Sequence, residues 1–368
     1  MIRRAPLFAA LFAALFAAAA FAARGEGAAA NAANGEAERS GPVAVAPEEV
    51  DASIERGLAF LAASMNPDGT YPRRHGSGGA VTSLAGMAFL AKGFLPGPGR
   101  YGSTLERAVD CVLDRAGPDG FLGDAEGGNG RMYAHSICTL FLSEVSGMVD
   151  PERQKRIDAV LPGAVKILLD AQNVPKNAQF EGGWRYQRDS TDSDMSCTGW
   201  ALMALRSSRL NGGDVPPEAI ARAVEFVKRQ QNLDDGSFRY QGRNGSCPLT
   251  LTGAGILCLE LCGRHNDPSA LHATRRLLEI YTDLGKREGN RCYGLYYTSQ
   301  GLFQTGGEAW KEFENWMYST WMPRQHPDGS WREEEDSPAY NTAMMVLAFA
   351  VPYRQLPIYQ RDETVDED

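Results

Sequence analysis

Gln325-His326-Pro327-Asp328-Gly329-Ser330-Trp331 is followed, after a short polar stretch, by Thr342-Ala343-Met344-Met345-Val346-Leu347-Ala348-Phe349. The first segment is a turn. Asp accepts hydrogen bonds from the backbone just ahead of it, and Gly supplies the positive φ that a tight reversal needs. The second segment opens on a hydroxyl residue and is apolar on every side. A helix of that kind must be buried. The pair recurs. The turns read Pro67-Asp68-Gly69-Thr70-Tyr71, Pro118-Asp119-Gly120-Phe121, Glu181-Gly182-Gly183-Trp184 and Asp235-Gly236-Ser237-Phe238, with a degenerate copy at Glu288-Gly289. The apolar runs open at Ser83, Ser136, Thr198, Thr252, Thr298 and Thr342, spaced 53, 62, 54, 46 and 44 residues apart. A period of about fifty residues signals a repeat architecture.

Ahead of each turn lies an amphipathic run, such as Ile54, Leu58 and Leu61, or Ile220, Val224 and Val227. These positions recur with the spacing of one helix face. Each repeat is therefore one half-exposed helix followed by one buried helix. Six such pairs predict an all-α fold, an (α/α)6 toroid with an outer and an inner ring, and no strand. The repeats fill residues 48–358 of the 368, so one toroidal domain is expected.

Around this domain the chain carries three further segments. Arg3 and Arg4 precede an apolar run over residues 5–23 that ends in small residues, which reads as an export signal and predicts a periplasmic or extracellular protein. An uncleaved membrane anchor is the alternative. Residues 24–47, rich in Ala, Gly, Glu and Asn, read as a flexible linker, and residues 359–368 as an acidic tail. The formal charge of −9 argues against a nucleic-acid partner, which calls for a basic face. The chain has seven cysteines and no C-x-x-C pair, so a zinc ribbon is not expected. Cys247 and Cys292 hold nearly equivalent places ahead of adjacent inner helices and are the best candidates for a disulfide.

The turns, above all Gln231-Asn232-Leu233-Asp234-Asp235-Gly236-Ser237-Phe238 and Gln325 to Trp331, resemble the repeat of the terpenoid cyclase and protein prenyltransferase superfamily. The likeness covers the whole predicted toroid. It implies an apolar ligand, isoprenoid or other lipid, in a central cavity, and squalene–hopene-cyclase-like enzymes are the members it is most similar to. Cyclases of that group carry an Asp-x-Asp-Asp at the head of an inner helix. Asp192-Ser193-Asp194-Met195 matches its first and central aspartates, with Met195 in place of the last. The resemblance thus makes Asp194 a candidate proton donor tuned by Asp192. Such an acid must be kept protonated by burial and a neighbouring carboxylate. Capping of the following helix is the structural reading of Asp194, and calcium held by Asp189, Asp192 and Asp194 is another. No Asp-x-Cys…His zinc pattern and no Cys-Gly-Glu-Gln thioester motif occurs, so neither a metal nor any other cofactor is expected.

The residues just before the aligned hydroxyls are Thr82, His135, Cys197, Leu251, Tyr297 and Asn341. One position earlier stand Val81, Ala134, Ser196, Thr250, Tyr296 and Tyr340. Polar and aromatic groups should therefore meet at one mouth of the toroid, with Trp184 and Trp200 nearby. His135 is a candidate base or ligand-orienting group. Trp184, Trp200, Tyr296, Tyr297, Tyr340 and Asn341 are candidate ligand contacts. Three functions are compatible with this pattern. They are a cyclase-like enzyme, a binding or scaffold toroid without chemistry, and a carbohydrate-active enzyme pairing Asp194 with Asp124 or Glu126. The acidic run Glu333 to Asp336 reads as a solvated loop.

Overall fold

The structure, a computed structural model, describes residues 45–359 except 73–77, 124–130, 244, 247, 287–289 and 334–336. Among the described residues there are twelve α-helices and no strand. The outer helices are α1 (Pro47–Ser64), α3 (Gly102–Leu113), α5 (Pro151–Asn173), α7 (Pro217–Arg229), α9 (Pro268–Ile280) and α11 (Gly307–Trp321). The inner ones are α2 (Gly78–Ala91), α4 (Arg131–Val145), α6 (Met195–Leu210), α8 (Leu249–Leu261), α10 (Arg291–Thr305) and α12 (Pro338–Ala350). Each inner helix packs on the next, and α12 packs on α2 and α1, so the ring closes. The expected (α/α)6 toroid is what forms. No helix among the described residues is long and apolar enough to cross a membrane. The export signal and linker, Cys247 of the expected disulfide, the degenerate Glu288-Gly289 turn and the tail from residue 360 lie outside the described residues.

The turn chemistry explains the closure. Gly69, Gly120, Gly182, Gly236 and Gly329 all have φ between 79° and 89°, a region costly for any residue with a Cβ. Each also presses on the next outer helix. A Cβ at Gly182 would sit 2.2 Å from the Arg222 carbonyl oxygen on α7, and one at Gly329 2.3 Å from that of Arg56 on α1. The aspartate before the glycine folds the turn. Asp328 Oδ1 accepts from the Ser330 N–H at 3.0 Å and its hydroxyl at 2.7 Å, and Asp235 does the same with Ser237.

A glutamine then ties the turn outward. Gln172 Nε2 donates to Gly182 O on its own turn at 2.9 Å and to Ala219 O on α7 at 2.8 Å. Gln231 bridges Gly236 O to Ser269 O on α9, and Gln325 bridges Gly329 O to Ser53 O on α1, both bonds at 2.9 Å in the last case. That last bridge joins the sixth repeat to the first.

The hydroxyl column joins turn to inner helix. Thr198, Thr252 and Thr342 Oγ1 accept the backbone N–H of Trp184, Phe238 and Trp331. In the first two repeats the register differs by one from the alignment on Ser83 and Ser136. Thr82 Oγ1 donates to Gly69 O at 2.9 Å, and His135 Nδ1 accepts the Leu122 N–H at 3.1 Å. An imidazole nitrogen and a hydroxyl are interchangeable as acceptors, which is why a search for hydroxyls passes over His135 and settles on Ser136.

The far mouth, at the C-terminal ends of the inner helices, is covered by the chain after α12. Leu356, Ile358 and Tyr359 are buried there. The Ile358 N–H donates to Glu144 Oε2 at 3.1 Å and the Ser207 hydroxyl to Glu144 Oε1. Glu144 is wholly buried, and burial pushes its carboxyl up to about 7.

Two outcomes are expected. Gln325→Ala removes the bridge between the last turn and α1 and leaves buried carbonyls without donors, which costs about 2–3 kcal/mol in urea unfolding. A loss below about 0.5 kcal/mol, the scale of an ordinary surface substitution, would show that the bridge does not hold the ring closed. For Glu144, the folded-state value lies above the unfolded one, so the native protein binds the extra proton and its stability falls as pH rises from about 4.5 through 7. The stability difference between wild type and Glu144→Gln should move toward the variant by roughly 3 kcal/mol across that window. A difference that stays constant with pH refutes this role for Glu144.

Candidate functional site

Helices alternate in direction from outer to inner, so the inner helices all present their N-termini, with their positive dipole ends, to one mouth. Asp194 is the N-cap of α6 and is wholly buried. Its Oδ1 accepts the Cys197 N–H at 2.8 Å, and its Oδ2 accepts Arg185 Nη1 at 2.7 Å. The same guanidinium donates to the Tyr240 hydroxyl at 2.9 Å and lies 3.3 Å from Asp192 Oδ2, which also accepts Gln241 Nε2 at 2.7 Å. Burial pushes the Asp194 carboxyl above its ordinary value, while the Cys197 amide and Arg185 pull the other way. Both oxygens are engaged, so a proton on either would displace a charge-assisted donor. Asp192 and Asp194 converge on Arg185, whose charge fills the role that the calcium reading gave to a metal. No group of three ligating side chains that could hold a metal occurs among the described residues.

Above this ion pair lies a cleft of about 340 Å³. Its walls are the first turns of five inner helices and the segment leading into α8. Tyr133 comes from α4, Ser196 from α6, Thr250 and Leu251 from α8, Tyr293 from α10 and Tyr340 from α12, with Tyr240 and Pro248 completing the rim. The Ser196 and Tyr293 hydroxyls are hydrogen bonded across the ring, as are those of Tyr186 and Tyr240. The cleft is thus aromatic in its body and hydroxylic at its edges.

Of the residues singled out in the sequence, Tyr340 lines this cleft. Asn341, beside it, is wholly buried with both amide atoms unpaired by protein. Ser196, Thr250 and Leu251, from the columns aligned at the inner-helix heads, line it too. Trp200, Tyr296 and Tyr297 are not among its lining residues. Trp200 on α6 stacks on Tyr296 of α10 at 5.4 Å and 9°, with Tyr297 at 5.6 Å, and all three are buried. These rings join α6 to α10 inside the toroid. Trp184 anchors its turn, donating Nε1–H to Leu168 O at 2.8 Å. His135 Nε2 lies 3.0 Å from Ala164 O while Nδ1 takes the Leu122 amide, so neither nitrogen is left for a substrate. Burial lowers His135 to about 4, which keeps it neutral. Asp124 and Glu126 lie outside the described residues.

The expectation of a solvated acidic loop fails at Glu333. This residue is buried and caps α10, accepting the Cys292 N–H at 3.1 Å and the Arg291 N–H at 3.2 Å. The sequence reading also missed Arg185, Tyr133, Tyr240 and Tyr293. Tyr293 precedes Tyr297 by four residues and so shares its helix face. That spacing was the available signal. Arg185 carried none, since only the fold brings it to Asp194.

The comparisons bear on the fold. The structure matches the apo type II terpene cyclase MstE from Scytonema with a TM-score of 0.54 and 16% identity, over 84% of this chain and 99% of that one. It matches cellobiose 2-epimerase from Bacillus thermoamylovorans with a TM-score of 0.52 and 14% identity, over 83% and 98%. A glycosidase in complex with glucose matches with a TM-score of 0.53 and 11% identity, over 84% and 98%. The chain has the terpenoid cyclase-like α/α-toroid fold. No known family matches it by sequence profile, and no curated protein matches it. A cyclase, an epimerase and a glycosidase share this toroid, so the fold does not select a reaction.

Asp194→Ala removes the helix cap and strips Arg185 of its closest carboxylate. A stability loss of about 2–4 kcal/mol is expected in denaturant unfolding. A fully stable variant would mean that this carboxylate is not structural.

Proposed function

We propose that the toroid binds a small, largely apolar molecule bearing hydroxyl or similar oxygen groups in the cleft at the N-terminal mouth of its inner helices. The observation that carries this is the cleft itself, lined by four tyrosines together with Ser196, Thr250 and Leu251. Its volume of about 340 Å³ falls within the roughly 300–1,000 Å³ of small-molecule sites. An isoprenoid fits that chemistry, and the related MstE fold is known in complex with geranylgeranyl dihydroxybenzoate. We favour binding over cyclisation, because Asp194 is held by Cys197 and Arg185 and is shut away from the cleft by Tyr240 and Arg185. On the sequence of residues 1–23, the proposal places this binding protein outside the cytoplasm.

The test is a calorimetric titration of the full chain with geranylgeraniol and, in parallel, with cellobiose. Geranylgeraniol should bind, and Thr250→Trp, which fills the cleft, should weaken it at least tenfold while the melting temperature is retained. Binding of cellobiose alone would move the assignment to carbohydrate. Binding of neither, or binding indifferent to Thr250→Trp, would refute the cleft as the site.

A further inference from the structure

A second concavity lies behind the segment that walls the tyrosine cleft. Backbone pairing between Gln231 and Phe238 makes the chain extended there, and successive side chains of an extended segment point to opposite faces. Tyr240 enters the tyrosine cleft, and Arg239 enters a separate groove of about 840 Å³. Lys228, Arg229 and Arg243 line the same groove, with Gln179, Gln231, Asn232 and Leu233. Asp234 is its one lining carboxylate.

These cations are unequally neutralised. Lys228 pairs with Asp267 at 2.8 Å. The three arginines have no carboxylate partner among the described residues. Arg229 donates to the Glu181 carbonyl. Arg239 donates Nη1–H to Gln231 O and Nη2–H to Asn232 Oδ1, both at 2.7 Å, which fixes its plane and leaves Nε free to donate. Arg243 makes no hydrogen bond or ion pair with any described residue. The turn that carries it is nevertheless held: Gly242 N–H donates to the buried Gln230 Oε1 at 2.8 Å, and the Gln179 amide sits where a Cβ on Gly242 would fall. In a chain with net charge −9, three uncompensated guanidiniums on one built groove are mutually repulsive until an anion joins them.

We propose that this groove is a second binding site, for a phosphorylated group held by Arg229, Arg239 and Arg243. The planar fork of a guanidinium matches the oxygen geometry of phosphate, and the groove has room for the organic part of a phosphate ester beside the phosphate. The phosphate has two possible sources, a soluble phosphate ester or a phospholipid headgroup. Leu233, 79% exposed at the rim, is the side chain that would enter a lipid surface in the second case. The proposal does not depend on the tyrosine cleft.

The test uses the full chain and pyrophosphate as probe in isothermal titration calorimetry at low ionic strength. Binding is expected, weakening as salt is added. Arg243→Gln should weaken it about tenfold or more, as loss of a charge-assisted contact does. Arg243 is exposed and holds nothing in place, so this variant should fold and melt as wild type. Arg243→Lys should recover part of the affinity. Arg100→Gln, an exposed arginine paired with Glu55 elsewhere, is the control and should leave binding unchanged. Absence of pyrophosphate binding, or equal binding by wild type and Arg243→Gln, overturns the proposal. Co-sedimentation with phosphatidylcholine vesicles, with and without phosphatidic acid, assigns the source. Phosphatidic-acid-dependent binding that is lost in Leu233→Ser upholds a headgroup, and pyrophosphate binding without co-sedimentation upholds a soluble ester.

Discussion

The structure depends on a primary amide with two donors. Gln172, Gln231 and Gln325 each hold their own turn with one N–H and the next outer helix with the other. A helix pair cannot bury its inner helix alone, and these bridges tie three of the pairs to their neighbours, each beside a positive-φ glycine. The bridge from Gln325 to Ser53 spans nearly the whole domain in sequence and brings the sixth turn onto the first helix. Ring closure therefore uses the same local contact as the third and fourth repeats, repeated where the ends of the domain meet.

Closure dictates where polar chemistry can stand. Inside the ring, groups of α6 and α10 meet: Trp200 with Tyr296 and Tyr297, and the Ser196 hydroxyl with that of Tyr293. The ring has two mouths. At one, the chain after α12 covers the opening and lays a backbone amide on buried Glu144. At the other, the first turns of inner helices and four tyrosines surround an open cleft, with the Arg185–Asp194 pair behind Tyr240. The asymmetry explains why a site belongs at the N-terminal mouth.

The candidate site was partly legible. The columns aligned at the inner-helix heads contained Ser196, Thr250, Leu251 and Tyr340, because residues at equivalent places in successive repeats must arrive at the same rim. Tyr296 and Tyr297, also in those columns, sit three and four residues further along α10 than Tyr293 and do not line this cleft. His135, a candidate base or ligand-orienting group in the sequence, stands where the threonine of other repeats accepts a turn amide. The Asp192 and Asp194 pair reads as an acid with its helper only while Arg185 is out of view. Nine residues separate Arg185 from Asp194 in the chain, and nothing in that spacing announces an ion pair.

The sequence by itself determined the number of repeats, the division into outer and inner helices and the mouth at which polar groups gather. Those follow from local rules: a glycine that must take positive φ, an aspartate that folds its own turn, a helix too apolar to face water. Tertiary structure alone decided which aromatic groups meet inside the ring, how Asp194 is held and which arginines lack a counter-charge. Each of these depends on what approaches from a distant repeat, and side-chain volume and charge compensation across a closed ring are not encoded in any one stretch of chain.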